Sequence, residues 1–251
     1  MLNLMKIILF GASGMVGQGV LRECVLSTDV ESILLVGRAS IKESKFGKSS
    51  FLTPYLEGPK QKVYEVITSD LNDLSPHAEA LSDYDACFFC LGITSAGLSE
   101  EQYRIVTYDL TLAVAHALAK PNSKMTFIYV SGTGTDSTES GRTMWARVKG
   151  KTENDILKLP FKAKYMFRPG YIQPANGETS KVSWYKYVYV FLSPLYPLVK
   201  LIAPNMVTST ELVGRAMIYA AKAGAPKTFL ESRDINFLAA QASTDNTSKS
   251  F

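Results

Sequence analysis

An unbroken apolar run, Ile7-Ile8-Leu9-Phe10, leads directly into Gly11-Ala12-Ser13-Gly14-Met15-Val16-Gly17, and a helical pattern follows. The spacing is G-x-x-G-x-x-G, and it predicts a buried strand, a tight turn and a helix. Each glycine has a separate task in such a unit. Gly11 permits the turn, Gly14 lets backbone approach a pyrophosphate, and Gly17 lets the helix lie close on the strand. The phosphates of a dinucleotide would rest on the N-terminal end of the helix, where free N–H groups point outward.

The rest of the chain repeats the alternation that this unit begins. Ile33–Val36, Lys62–Ile67, Asp85–Leu91, Met125–Val130 and Lys164–Phe167 read as further strands. Helical patterns lie between several of them, the clearest starting at Ser99, where Gln102 completes a capping box, and near Thr143. Strands that are apolar on both faces and separated by helices imply a parallel, doubly wound α/β sheet. Residues 1–240 are expected to form one such domain, with 172–240 as a small substrate-side lobe and 241–251 as an unstructured polar tail. Thr210–Lys222 reads as a helix and Thr228–Leu230 as a short strand. Trp184–Ala203 is aromatic and apolar, but Lys186, Lys200, Pro194 and Pro197 argue against a membrane-spanning helix. It is expected to fold over the cleft, with a membrane contact or dimer face as the alternative.

Composition excludes little. With 27 basic and 23 acidic residues the net charge is +4, a mixed surface that does not suggest a nucleic-acid partner. Three cysteines with no secretory leader suggest a reducing compartment, and the cytoplasm is the expected one. Cys87 and Cys90 form a C-x-x-C, but residues three apart on a strand face opposite sides, so no disulfide is expected. His77 and His116 stand apart from any metal-ligand pattern.

Strand ends carry the candidate contacts. A dinucleotide site that prefers NAD usually has an acidic residue after the second strand. Arg38 stands there instead, followed by Lys42 and Lys45, which favours the 2′-phosphate of NADP over NAD. Asp70, beside Leu71, can face the adenine edge or cap the turn before Leu74. Gly92, after Leu91, leaves space for the cofactor's ribose or nicotinamide half.

The glycine loop, Val36-Gly37-Arg38, Val130-Ser131-Gly132-Thr133-Gly134-Thr135-Asp136, Val148-Lys149-Gly150 and Arg168-Pro169-Gly170 follow in order. Together they resemble the short-chain dehydrogenase/reductase superfamily, in particular its atypical, extended-like branch and the oxidoreductases related to the Tat-interacting protein. The resemblance covers about Lys6 to Tyr171 and extends loosely beyond. It implies an NAD(P)-binding Rossmann fold whose cofactor contacts are Gly11, Ala12, Ser13, Gly14, Met15, Val16, Gly17, Arg38, Asp70, Leu71, Leu91, Gly92, Lys149, Pro169, Gly170 and Tyr171. It also implies a catalytic set of a hydroxyl residue, a tyrosine and a lysine four residues later. Here Lys149 takes the lysine position and Ser131 or Thr133 the hydroxyl position, but Trp145 stands where the tyrosine belongs. An indole is a donor only and has no acid–base chemistry to offer.

Three readings stay open. The chain is a reductase acting on a small apolar carbonyl or alcohol through another acid, such as Tyr171, Tyr103 or a water. Alternatively it is a catalytically idle NADP(H)-binding regulator. Or the fold serves as an interaction scaffold, with a homodimer compatible with each.

Overall fold

A computed structural model describes residues 4–175 and 206–248 of the 251. The aromatic segment Trp184–Ala203 lies outside the described residues. The chain folds as the sequence pattern predicts, into a doubly wound parallel sheet flanked by helices. The strands are β1 (Met5–Phe10), β2 (Val30–Gly37), β3 (Val63–Ile67), β4 (Ala86–Phe89), β5 (Thr126–Val130) and β6 (Ala163–Arg168), with β7 (Tyr171–Gln173), β8 (Val207–Ser209) and β9 (Phe229–Glu231) following. The main sheet has the order β3-β2-β1-β4-β5-β6-β9, and every pairing in it is parallel. The order reverses between β1 and β4. Ligands in open parallel sheets bind in the crevice outside the carboxyl ends of the strands at such a point.

The two faces of the sheet are covered differently. One core cluster joins Ile7, Leu9, Ile33 and Phe88 to Val20, Leu21, Val213 and Met217. It seats α1 (Met15–Leu26) and the later helices α6 (Thr210–Ala223) and α7 (Ser232–Ser248). The other cluster joins Ile8, Phe10, Cys87, Phe89 and Phe127 to Val114, Leu118 and Ile156. It seats α4 (Leu110–Ala119) and α5 (Met144–Leu157). Alternate strand residues face opposite clusters because successive side chains on a strand point to opposite faces. Cys87 and Cys90 follow this rule, packing into opposite clusters as free thiols. Burial pushes both thiols up, which makes them inert core residues.

Two expectations change. Residues 172–240 do not form a separate lobe as far as they are described. Only β7 and β8 leave the main sheet, pairing with each other, whereas β9 becomes its edge strand and α6 packs beside α1. The physical reason is burial: Val213, Ala216, Met217 and Leu230 are wholly apolar positions that complete the core over α1. The stretch from Gln241, expected as an unstructured tail, continues α7 to Ser248.

The capping box before α3 (Glu100–Arg104) forms as expected. Ser99 Oγ accepts from Gln102 N at 3.3 Å, and Gln102 Oε1 accepts from Ser99 N at 3.0 Å. The helix then passes through a single π-type turn, Ile105–Asp109, before α4. That turn packs on α5, where Tyr108 donates its phenol proton to Asp155 at 2.7 Å.

Candidate active site

The glycine loop runs from the end of β1 into α1 at the reversal point. Gly11 adopts φ +82°, and a Cβ there would stand 2.6 Å from Leu91 N, in the loop after β4. That loop is tied to β1 by Cys90 N donating to Phe10 O at 3.0 Å. A Cβ on Gly17 would overlap the Gly11 carbonyl oxygen. The fold itself therefore requires glycine at 11 and 17. Gly14 differs, since a Cβ there would meet only Gly11 O at 3.4 Å. Gly92 likewise has nothing within 4 Å of a Cβ. Both face space that no described residue fills. Gly14 is the N-cap of α1, no side chain caps that end, and the first turn holds no acidic residue.

The other residues expected at the site differ in exposure and in their partners. Ala12 is buried, Ser13 is exposed, and Met15 and Val16 are half-buried on the first turn. Ser13 O accepts from Gln18 Nε2 at 3.1 Å, which ties the loop to α1. Arg38 follows β2, is exposed, and pairs with no described residue. Its loop is braced from β3: Glu65 accepts from Ile41 N and from Ser40 Oγ, each at 2.6 Å. Lys42 is paired with Glu57 at 3.1 Å. Asp70 takes the capping alternative, accepting from Asn72 N at 2.8 Å and Asn72 Nδ2 at 2.9 Å. Leu71 is a correction, because its side chain is buried in the core and only its main chain remains for a ligand. Gly170 has a structural reason of its own, since a Cβ would overlap Met206 O. Pro169 is buried, and its carbonyl accepts from Thr133 N at 3.0 Å.

The expected hydroxyls are engaged by protein groups. Ser131 is buried, and its hydroxyl donates to Glu153 Oε1 at 2.5 Å, with Phe167 O at 3.2 Å. Thr133 Oγ1 lies 2.9 Å from both Arg168 O and Glu231 Oε2, so its one proton is held at the β6–β9 junction. Tyr103 is buried, and the half-buried Tyr171 donates to Gln173 Oε1 at 3.0 Å. These are corrections to the hydroxyl and acid roles expected from the motif, and their cause is the buried network beneath.

Glu153, which the sequence reading did not single out, is the centre of that network. It is 0% exposed on α5 and accepts from Ser131 Oγ, from Arg168 Nε at 3.0 Å and from Arg168 Nη2. Arg168, at the end of β6, also donates to Ser137 Oγ at 2.6 Å and lies 4.5 Å over the Phe229 ring. The signal in the sequence was the spacing of four from Lys149, which puts both on one face of α5.

Lys149 projects from the same face and donates from Nζ to Ser131 O. Desolvation by burial lowers its ammonium to about 8, while the Glu153 carboxylate pulls the other way. Its basic neighbours serve elsewhere. Arg147 pairs with Glu100 at 2.6 Å, and Lys151 with Asp155 at 3.1 Å. Gly150 explains how Lys149 reaches this carbonyl. A Cβ at 150 would overlap Asp136 O, so only glycine lets the loop after β5 cross α5 so closely. Trp145, one turn before Lys149, lies under that loop, its ring 3.4 Å from where a Gly134 Cβ would stand. Among the described residues no group of three or more His, Cys, Asp or Glu could hold a metal. Nor is any described helix long and apolar enough to cross a membrane.

No protein-family model matches the chain. It is similar to the protein HTATIP2 of Rattus norvegicus, 27% identical over 179 residues that cover 71% of this chain and 67% of that one. It is similar to the mitochondrial protein FMP52 of Meyerozyma guilliermondii, 29% identical over 203 residues that cover 77% of this chain and 79% of that one. Among solved structures, the enzyme WbmF of Bordetella bronchiseptica in complex with NAD+ superposes with a TM-score of 0.61 at 14% identity. That match covers 97% of this chain and 78% of the other, and it shows a shared fold. These likenesses bear out the resemblance read from the motifs. They also correct the expected cytoplasmic location, because the FMP52 relatives of several fungi are named as mitochondrial proteins. Cysteine usage reports a reducing environment and does not distinguish one such compartment from another.

Proposed function

We propose that the chain binds NADP(H) and acts as an oxidoreductase on a small apolar carbonyl or alcohol, in mitochondria as its fungal relatives are named to be. The observation that carries this reading is the open space over Gly14 at the N-terminus of α1, set where the strand order reverses. A pyrophosphate fits a loop whose other two glycines are required by the fold while this one is left uncrowded. The loop from Gly11 to Gly17 holds the pyrophosphate in this reading. Arg38 takes the 2′-phosphate, and the main chain of Leu71, in the turn that Asp70 caps, borders the adenine. Leu91 and Gly92 line the ribose side, and Lys149 with Pro169, Gly170 and Tyr171 holds the nicotinamide end. When bound, the nicotinamide supplies or accepts hydride. The protein's part is to orient the substrate, exclude water and manage a proton.

A catalytically idle, NADP(H)-binding regulator is the second reading. Trp145 in place of the tyrosine and the inward turn of Ser131 favour it. Binding separates both from a scaffold that takes no cofactor. NADPH titrated against the protein by fluorescence should saturate, and Arg38→Ala should weaken it by about 1.5–3 kcal/mol, the range for a hydrogen bond to a charged group. NADH affinity should barely change. Equal losses for both would remove the 2′-phosphate assignment, and no binding of either would remove the cofactor reading.

A further inference from the structure

The proton donors that the motif suggests, Ser131, Thr133, Tyr171 and Tyr103, can be accounted for one by one. Ser131 gives its hydroxyl proton to Glu153, and Thr133 gives its proton to Arg168 O or Glu231. Tyr171 donates to Gln173, and Tyr103 is buried. Trp145 carries an N–H that is not an acid at any physiological pH. Among the described residues, Lys149 remains as an ammonium at these strand ends whose hydrogens are not all taken. Its ammonium has three hydrogens, Ser131 O accepts one, and no other described residue accepts a second.

We propose that Lys149 Nζ is itself the proton donor to the substrate carbonyl oxygen, in place of a tyrosine one helical turn earlier. The inference rests on the oxidoreductase reading. In the reduction, hydride from a reduced nicotinamide bonds to the carbonyl carbon while the C=O π bond breaks. The oxygen takes H⁺ from the Lys149 ammonium, leaving an alcohol, oxidised nicotinamide and a neutral amine. The amine regains its proton from water.

The setting supports this role. An acid works best when its pKa lies near the operating pH, and burial brings Lys149 to about 8. Glu153, one turn further along α5, is the charged group acting on it. Across Glu153 lies Arg168 of β6, which neutralises much of that carboxylate. The phenol of Tyr129 on β5, with Tyr103 beside it, acts on Glu153 and not on Lys149, and burial raises Tyr129 so that it stays neutral. Ser131 O fixes the Nζ position without accepting all of its protons.

Two measurements on the full chain test the proposal. Competitive labelling with acetic anhydride, followed peptide by peptide from pH 6 to 11, reads the free-amine fraction of each lysine without any turnover. Lys149 should be half-reactive near pH 8, below the ordinary lysine value of about 10.4. A Lys149 midpoint near that ordinary value overturns the inference and leaves the oxidoreductase reading intact. The second measurement follows NADPH-dependent reduction of an α-diketone by wild type and Lys149→Arg. Arginine keeps the charge and donors but releases no proton in this range. At NADPH concentrations that saturate each protein, kcat should fall by about 10²–10⁴. The wild-type rate should decline as pH rises through about 8, and the residual rate of the variant should not. Full turnover in Lys149→Arg overturns the inference alone. Absence of wild-type turnover with NADPH bound overturns the oxidoreductase reading and the inference together.

Discussion

Replacing Glu153 by glutamine removes one charge from a fully buried group and leaves the shape almost unchanged. Glu153 is 0% exposed, and the side chain of its partner Arg168 is 13% exposed. The guanidinium holds Glu153 through two hydrogen bonds, and the Ser131 hydroxyl supplies a third to the same carboxylate. Without the carboxylate, Arg168 keeps Ser137 Oγ and the face of Phe229, neither of which carries an opposite charge. Breaking a buried pair from one side costs about 3–5 kcal/mol. Glutamine retains one acceptor toward Arg168, so the lower end, about 3 kcal/mol, is expected. That is a large part of a typical total stability of about 5–15 kcal/mol. With a urea m-value of about 2–3 kcal/mol per molar, the unfolding midpoint should fall by about 1–1.5 M. Circular dichroism and tryptophan fluorescence in urea would measure it. The same substitution removes the carboxylate that holds Lys149 up, so the labelling midpoint of Lys149 should move below about 8. Glu153→Leu combined with Arg168→Met should recover much of the lost stability, because apolar replacement of a buried pair is often close to neutral. A midpoint change below about 0.2 M, or a rise of the Lys149 midpoint, would refute this account of the network.

Gly17→Ala should prevent folding or lower the midpoint sharply, since the new methyl overlaps Gly11 O, whereas Gly14→Ala should fold normally and lose NADPH affinity; circular dichroism and NADPH titration separate the two effects. Lys149→Met should stabilise the fold most below pH 8. Lys149 is lowered from 10.5 to about 8 on folding, so between those values the unfolded chain binds more protons, wild-type stability rises with pH, and the advantage of the variant shrinks; urea melts at pH 7 and 10 would show it. Trp145→Tyr places a phenol one turn before Lys149 and should raise α-diketone reduction with NADPH, in steady-state assays, by up to about 10²-fold; an unchanged rate would mean that proton supply does not limit the reaction.

The fold was legible because its signals are local. Apolar runs such as Ile7–Phe10 and Ala86–Phe89 cannot remain in water, and their alternation with helical patterns leaves a parallel sheet as the way to bury both faces. Gly11 and Gly17 were readable for the same reason, since their turn closes within seven residues. The capping box at Ser99 needed only a spacing of three. What stayed hidden depends on partners far apart in the chain. Val213 and Met217 meet α1 roughly 190 residues away, as the Arg215–Glu23 pair with a separation of 192 illustrates, and nothing local marks them as core instead of lobe. The inward turn of Ser131 follows from Glu153, whose burial is tolerable only because Arg168 arrives from β6. The sequence by itself determined the strand–turn–helix at the N-terminus and the missing tyrosine before Lys149. The tertiary structure alone decided which hydroxyls face the interior and how strongly Lys149 holds its proton, because desolvation and charge pairing exist only once β5, β6 and α5 enclose the same small volume.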